Sequence, residues 1–258
     1  MAKNDWNPEL YLKFDKERAQ PSIDLVAKIE METPQKIIDI GCGPGNSTQI
    51  LRERWSASHI LGIDKSESMI TRAQSDFPDQ QWQLFDVETD TFQDTYDIVY
   101  SNATIQWIHS HDLLLKKLSE IVNPGGALAV QIPLFFDMPI GKSISRVAQD
   151  NRWADKTKDV DSLFTMLNCG EYYDILSGLF KKIEMWQTHY IHIMDSHSSI
   201  LEMVQSTGLK PYLEKIDDNK EKVLFEEMVL DSIKYDYRVQ KDKKVLFPFD
   251  RLFFIGYK

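Results

Sequence analysis

Gly41-Cys42-Gly43-Pro44-Gly45 is the stretch of this chain whose residue types most directly suggest chemistry. Glycines at alternate positions let a backbone turn tightly and come close to a ligand, with no Cβ in the way. Asn46-Ser47-Thr48 follows as a helix start, and the first N–H groups of a helix point unpaired into the space before it. Acids flank the turn. Asp39 stands just ahead of the glycines, and Asp64 follows about 20 residues beyond them.

Spacing separates three nucleotide readings. A phosphate loop needs lysine and then Ser or Thr after its last glycine, and Gly45 is followed by Asn46-Ser47, so that reading falls. A dinucleotide turn would put its third glycine where Asn46 stands. A nucleoside joined to a sulfonium amino acid has no pyrophosphate to place, only an ammonium and a carboxylate. For that ligand an acid ahead of the glycines has a use, and Asp39 is that acid. Asp64 is spaced to accept both ribose hydroxyls, and Asp86, read as ending a third strand, can meet an adenine amino group. Asn102 and Ala103 follow a fourth strand, and Met69 and Val87, near Asp64 and Asp86 respectively, complete the cofactor set. A lone G-x-G is often only a turn, and each Asp could simply cap a helix. Several strand ends sending polar groups into one crevice form a more specific pattern.

Short apolar runs carry those residues. They are Ile37-Ile38-Asp39-Ile40, His59-Ile60-Leu61-Gly62-Ile63, Trp82-Gln83-Leu84-Phe85, Tyr96-Asp97-Ile98-Val99-Tyr100 and Ala127-Leu128-Ala129-Val130-Gln131-Ile132. Helical patterns lie between them: one with Ile50, Leu51 and Trp55, one over 66–73, and one with Leu113, Leu114, Leu118 and Ile121 stopped by Asn123-Pro124-Gly125-Gly126. This alternation predicts an α/β fold, a doubly wound parallel sheet with right-handed crossovers. Its ligands bind beyond the carboxyl ends of the strands. Ahead of the sheet, Asn7-Pro8 with Leu10 and Phe14 reads as a helix. A second helix from Ser22 shows Ile23, Val26 and Ala27 on one face and stops before Pro34. Further on, 134–178 reads as helical and 181–187 as a strand. Residues 197–207 and about 218–238 read as helices, and 245–257 as a closing strand. The expectation is one domain over 1–258. Its core sheet takes 35–132, 181–187 and 245–258, with helical additions 1–33, 134–178 and 190–243, of which the last two form a substrate lid.

The 258 residues carry a formal charge of −10, with 42% hydrophobic and 27% charged content. That is the composition of a globular protein, and its acidity argues against nucleic acid as a partner. A few placed cations can still make a local site for a small anion. Cys42 and Cys169 fit a reducing compartment without a disulfide framework. The opening residues hold no apolar stretch, and no apolar run reaches the ~20 residues that span a bilayer. The expected setting is the cytoplasm, without membrane attachment; oligomeric state has no signal. His189, His192 and His197 are close in sequence but match no familiar metal spacing, so no metal is expected.

As a set, the motifs of residues 35–132 resemble the class I S-adenosylmethionine-dependent methyltransferases. The resemblance implies a Rossmann-like, seven-stranded, mostly parallel sheet whose last strand, carrying Leu252-Phe253-Phe254-Ile255, is antiparallel. It also implies S-adenosylmethionine as cofactor and S-adenosylhomocysteine as product. A narrower likeness reaches outside the sheet. Asp5-Trp6-Asn7-Pro8, Leu10-Tyr11-Leu12, Glu17-Arg18 and Pro21, Asn102-Ala103 with Gln106-Trp107, Tyr172-Tyr173-Asp174-Ile175-Leu176-Ser177, Thr207-Gly208-Leu209 with Pro211, and Arg251-Leu252-Phe253 look like the bacterial trans-aconitate methyltransferase family. Residues 134–170 depart from the family, and Gln187 stands where an arginine is expected near Trp186.

This likeness implies methyl transfer to a carboxylate oxygen of a small polycarboxylic acid such as trans-aconitate, giving a methyl ester. A carboxylate, with a pKa near 4, arrives deprotonated and needs no general base. No catalytic residue is then required beyond those that align oxygen, methyl and sulfur. Trp6, Tyr11, Trp107 and Tyr190 are candidates for an aromatic wall around the acceptor. Arg18 is a candidate for the cofactor's carboxylate and Arg251 for the acceptor's, the alternative for each being a surface ion pair. Tyr190 and His192 would share one face of an extended segment. His192 or His189 would serve as base only if the acceptor were a hydroxyl, amine or carbon acid. A cofactor-binding module without catalysis is the alternative from another class, and a nicotinamide-dependent oxidoreductase a distant one.

Overall fold

The protein is described by a computed structural model over residues 14–258. The helix expected from Asn7-Pro8, and Trp6 and Tyr11, lie outside the described residues. Seven strands form one sheet: β1 (Lys36–Ile40), β2 (His59–Asp64), β3 (Gln81–Leu84), β4 (Tyr96–Asn102), β5 (Val122–Pro133), β6 (Lys182–Met194) and β7 (Val245–Tyr257). Their order is β3-β2-β1-β4-β5-β7-β6.

The first five strands pair in parallel, with Asp39 opposite Gly62 on one side and Tyr100 on the other. This register brings the carboxyl ends of β1, β2 and β4 level, so the groups that follow them meet. β7 runs the other way: Gly125 N–H donates to the Lys258 carbonyl at 3.2 Å, while Leu134 N–H donates to that of Asp250 at 2.9 Å. Ile37, Ile38, Ile40, Ile98, Val99, Leu128 and Val130 are almost wholly buried, as expected for strands covered on both faces.

The helices flanking the parallel strands are α1 (Asp15–Lys28), α2 (Asn46–Arg54), α3 (Glu67–Asp76) and α4 (His111–Glu120). α1 begins earlier than Ser22 and has Pro21 inside it. Its buried face is Ser22, Leu25 and Val26 rather than Ile23 and Ala27, because the Ser22 hydroxyl hydrogen-bonds that of Tyr100 at 2.6 Å and turns that side inward. In α4, Leu114, Leu115 and Leu118 are buried, whereas Leu113 is 65% exposed. Asn123-Pro124-Gly125-Gly126 does follow the helix, but it lies within β5, where the register against β4 shifts and Gly125 takes φ +79°. β3 ends at Leu84, so Asp86 sits on the loop beyond it. β6 continues past 187 to Met194, with His192 and Met194 inward and Ile191 and Ile193 outward; 190–194 is strand, not part of a helical addition.

Two compact units share the chain. One holds the described residues up to Ile132 together with Thr165–Gln187 and Leu252–Lys258, including α7 (Cys169–Ser177). The other, Pro133–Phe164 with Thr188–Arg251, holds α5 (Pro139–Ala148), α6 (Ala154–Thr157), α8 (His197–Gln205), α9 (Lys210–Glu214) and α10 (Asn219–Ile233). Its core gathers Ile140, Ile144, Trp153, Phe225 and Val229, with the Trp153 and Phe225 rings 5.2 Å apart. Among the described residues no helix is long and apolar enough to cross a membrane.

Candidate functional site

The glycine turn is held from below. The amides of Gly41 and Cys42 both donate to the Ile63 carbonyl, at 2.8 and 2.9 Å, and Gly43 N–H donates to Asp64 Oδ2 at 2.9 Å. Gly41 has φ +71°, and a Cβ there would lie 2.1 Å from the Thr104 methyl. Gly45, at φ +100° and capping α2, is pressed against Trp82. Gly43 differs: at φ +55°, a Cβ built on it meets nothing within 4 Å among the described residues. Two glycines serve close packing, and the third leaves backbone facing open space.

Asp39 is fully buried behind this turn. Its Oδ2 accepts from the hydroxyls of Ser47 and Thr48, each at 2.6 Å, while its Oδ1 has no hydrogen-bond partner among the described residues. Burial pushes its carboxyl up to about 6 against the pull of the two hydroxyls, and Asp64 adds to the rise. Asp64 accepts from Gly43 N–H and, through Oδ1, from Ser66 N–H at 2.9 Å. Ser66 caps α3 by accepting from Met69 N–H at 3.2 Å, and the Met69 side chain is buried.

The segment after β4 closes the other side. Ala103, at φ +54°, donates its N–H to the Gln131 carbonyl at 3.0 Å, and the Thr104 hydroxyl donates to the Gly41 carbonyl at 3.1 Å. Asn102 Oδ1 and Gln106 Oε1 are buried without hydrogen-bond partners among the described residues. His111 braces this segment, with Nε2 2.8 Å from the Ile105 carbonyl and Nδ1 2.7 Å from the Tyr172 hydroxyl. Trp107 ends the short 3-10 turn Ile105–Trp107 that it steadies.

Asp86 spends one carboxylate oxygen on Glu88 N–H, at 2.9 Å, as a turn cap, with Val87 buried beside it. Arg18 is half-buried on α1. Residue spacing gave no prominence to Ser47 and Thr48, which hold Asp39, to Gln106, or to Trp82, which backs Gly45 and Gly62. The two hydroxyls had a readable signal, since the first turn of a helix leaving β1 must overlie that strand's end.

In the second unit, Tyr190, His192 and Arg251 come together. The Tyr190 and His192 rings lie nearly parallel at 6.4 Å, His192 is 5.9 Å from Phe249, and the Arg251 guanidinium sits 4.5 Å over the Phe249 ring. Arg251 is only 5% exposed, so it is no surface ion pair. His189 points to the other face, its Nδ1 2.5 Å from Asp250 Oδ1. Gln187 belongs to the first unit, where its amide donates to Cys169 Sγ at 3.2 Å. Among the described residues no group of three or more His, Cys, Asp or Glu could hold a metal.

A methyltransferase-domain family profile matches residues 11–212. The trans-aconitate 2-methyltransferase of Escherichia coli O157:H7 (strain EC4115 / EHEC) is 36% identical over 253 residues, 98% of this chain and 98% of that one. The chain belongs to the S-adenosylmethionine-dependent methyltransferases. Among solved structures, the YcgJ protein of Bacillus subtilis matches with a TM-score of 0.60 at 11% identity, over 93% of this chain and 98% of that chain. An O-methyltransferase from a trans-AT PKS multienzyme of Brevibacillus brevis, in complex with S-adenosyl-L-homocysteine, matches with a TM-score of 0.53 at 14% identity, over 94% and 73%. Both share the fold.

The residues at the sheet's end fit the family's cofactor, which supplies a methyl group on a cationic sulfur. Two buried acceptor oxygens without partners among the described residues, on Asp39 and Asn102, suit an ammonium group. The open space over Gly43 admits a ligand against the backbone, and the Asp64 carboxylate, held by two amides, is an acceptor beside it.

Proposed function

We propose that this methyltransferase esterifies a small polycarboxylic acid such as trans-aconitate, moving the methyl group to a carboxylate oxygen. The observation that carries the reading is Arg251, a buried guanidinium laid on Phe249 beside His192 and Tyr190. A guanidinium is a planar fork of donors, and a carboxylate matches that fork. The relative's name supports the same class of acceptor.

In this reading Asp39, Asn102 and Ala103 receive the cofactor's ammonium end, and Arg18 its carboxylate. The backbone of Gly41, Gly43 and Gly45 lies along it, Asp64 takes the ribose, and Asp86, Val87 and Met69 border the adenine. Arg251 orients the acceptor, with Tyr190 and His192 as aromatic wall, and Trp107 stays a separate candidate on the turn after β4. Such an acceptor arrives ionised, so these residues have to align it and exclude water rather than remove a proton. A net charge of −10 is in keeping with a small-molecule acceptor rather than nucleic acid.

A second reading has one observation in its favour. The His189–Asp250 pair, at 2.5 Å, resembles an oriented base, as a hydroxyl, amine or carbon acceptor would need. Label transfer from methyl-labelled S-adenosylmethionine to trans-aconitate separates the two. Base-labile label on the acid is the expected result. Cofactor binding with no label on any member of a polycarboxylate panel would overturn the first reading.

A further inference from the structure

We propose a small-anion site in the second unit, on the outward side of α5, that takes an organic di- or tricarboxylate through Lys142 and Arg146. A cavity of about 450 Å³ is lined there by Phe136, Lys142, Ser145, Arg146, Gln149 and Asp161. That volume is within the range of small-molecule pockets. It shares no residue with the Tyr190–His192–Arg251 cluster, and it stands whether or not the methyl acceptor is a carboxylate.

The polar stripe of an amphipathic helix is ordinarily just solvated, and three features set this one apart. Lys142, Ser145, Arg146 and Gln149 recur at three- and four-residue spacing, so they project from one side of α5. Here that side borders a concavity, with Phe136 and Asp161 completing its lining. The lining is also fixed in place. A Cβ on Gly141 would lie 2.2 Å from the Phe135 carbonyl, so α5 sits tight on the turn that carries Phe136, whose ring packs edge-on to Phe164 at 4.8 Å. Asp161 accepts from the buried Tyr212 hydroxyl.

Charge is the third feature. Acids outnumber bases 40 to 30 in this chain, yet neither Lys142 nor Arg146 has a carboxylate at ion-pair distance among the described residues. Arg146 donates from one nitrogen to Ser143 at 3.1 Å, and Ser143 in turn reaches Asp236 at 3.5 Å. Two like charges one turn apart repel each other, and an anion between them removes that repulsion. Gln149 adds a neutral donor, and the Asp161 carboxylate would accept from a hydroxyl or protonated carboxyl on the same ligand.

The test is calorimetric titration of the full-length protein, without cofactor, using tricarballylate and, separately, inorganic phosphate. In K142Q/R146Q one tricarballylate binding event per chain should vanish or weaken at least tenfold. Both side chains are exposed, so thermal unfolding without ligand should not move. Tricarballylate binding that is the same in wild type and K142Q/R146Q overturns the site, as does no binding at millimolar concentration. Loss of phosphate binding alone overturns the assignment to carboxylates. Methyl transfer plays no part in the measurement, so failure here leaves the acceptor reading untouched, and the reverse also holds.

Discussion

The two groups of residues proposed to face ligands are built in opposite ways. At the ends of β1, β2 and β4 the ligand-facing groups are backbone amides and short acids, locked by φ angles near +55° to +100° and by hydrogen bonds to neighbouring strands. In the β6–β7 part of the second unit they are long side chains, Tyr190, His192 and Arg251, assembled by ring packing. A backbone site tolerates little change, because Gly41 and Gly45 are packed against side chains and Gly43 leaves its backbone open. A side-chain site can be retuned one residue at a time, which suits a cofactor end that stays constant and an acceptor end that varies.

The sharpest way to break this contrast is to substitute two glycines of one turn. Gly41→Ala should cost about 2–4 kcal/mol of stability, from the left-handed backbone and the collision with Thr104, and lose cofactor binding with it. Gly43→Ala should cost only about 1 kcal/mol, since its new methyl meets nothing, yet weaken S-adenosylhomocysteine more than tenfold by filling the open space. Chemical unfolding and calorimetric titration measure both. Unimpaired binding by Gly43→Ala would show that the ligand does not lie against this backbone.

Asp39 supplies the next effect, through pH. Its carboxyl is raised from 3.8 to about 6 by burial, so the unfolded chain ionises first as pH increases. Stability from this group is therefore full well below pH 3.8, falls by about 3 kcal/mol as pH rises through 6, and stays lost above that. An ammonium ligand needs the ionised form, so its affinity should run the other way and drop about fivefold between pH 6 and pH 5. Asp39→Asn should flatten both profiles and bind the cofactor weakly at every pH. Retention of the slope in that variant would assign it to another group.

The turn and the five parallel strands were legible because the signals are local: positive φ calls for glycine, and buried parallel strands read as apolar runs. What stayed hidden depends on distant partners. Ser22 faces inward because of Tyr100, which turned the buried side of α1 away from Ile23. β6 alternates Ile191 and Ile193 outward with His192 inward, an inverted pattern whose reason lies in the rings of Phe247 and Phe249. Arg251 was legible as a residue but not as a buried one, because His192, which packs on the Phe249 ring beneath its guanidinium, lies far away in sequence.

The acceptor side should therefore respond to Arg251→Gln without a change at the cofactor end. Removing one charged partner of an anion costs about 1.5–3 kcal/mol, which is a 10- to 150-fold rise in KM for trans-aconitate. Cofactor affinity should stay within twofold. A matching loss of cofactor binding would mean that Arg251 supports the fold of the whole chain rather than the acceptor.

The smallest effect discriminates most cleanly between acceptors. His189 and Asp250 form an exposed pair, 56% and 42% accessible, and such pairs contribute at most about 1 kcal/mol to stability. If the acceptor is a carboxylate, ionised throughout neutral pH, His189→Ala should change kcat less than twofold and leave the rate level from pH 6 to 9. A hydroxyl or amine acceptor makes the opposite demand. Its proton must leave, a base at this position would be worth roughly 10²–10⁴ in rate, and the wild-type rate would climb through the histidine titration range. One substitution at the molecule's surface thus reads the charge state of an acceptor that the buried residues only surround.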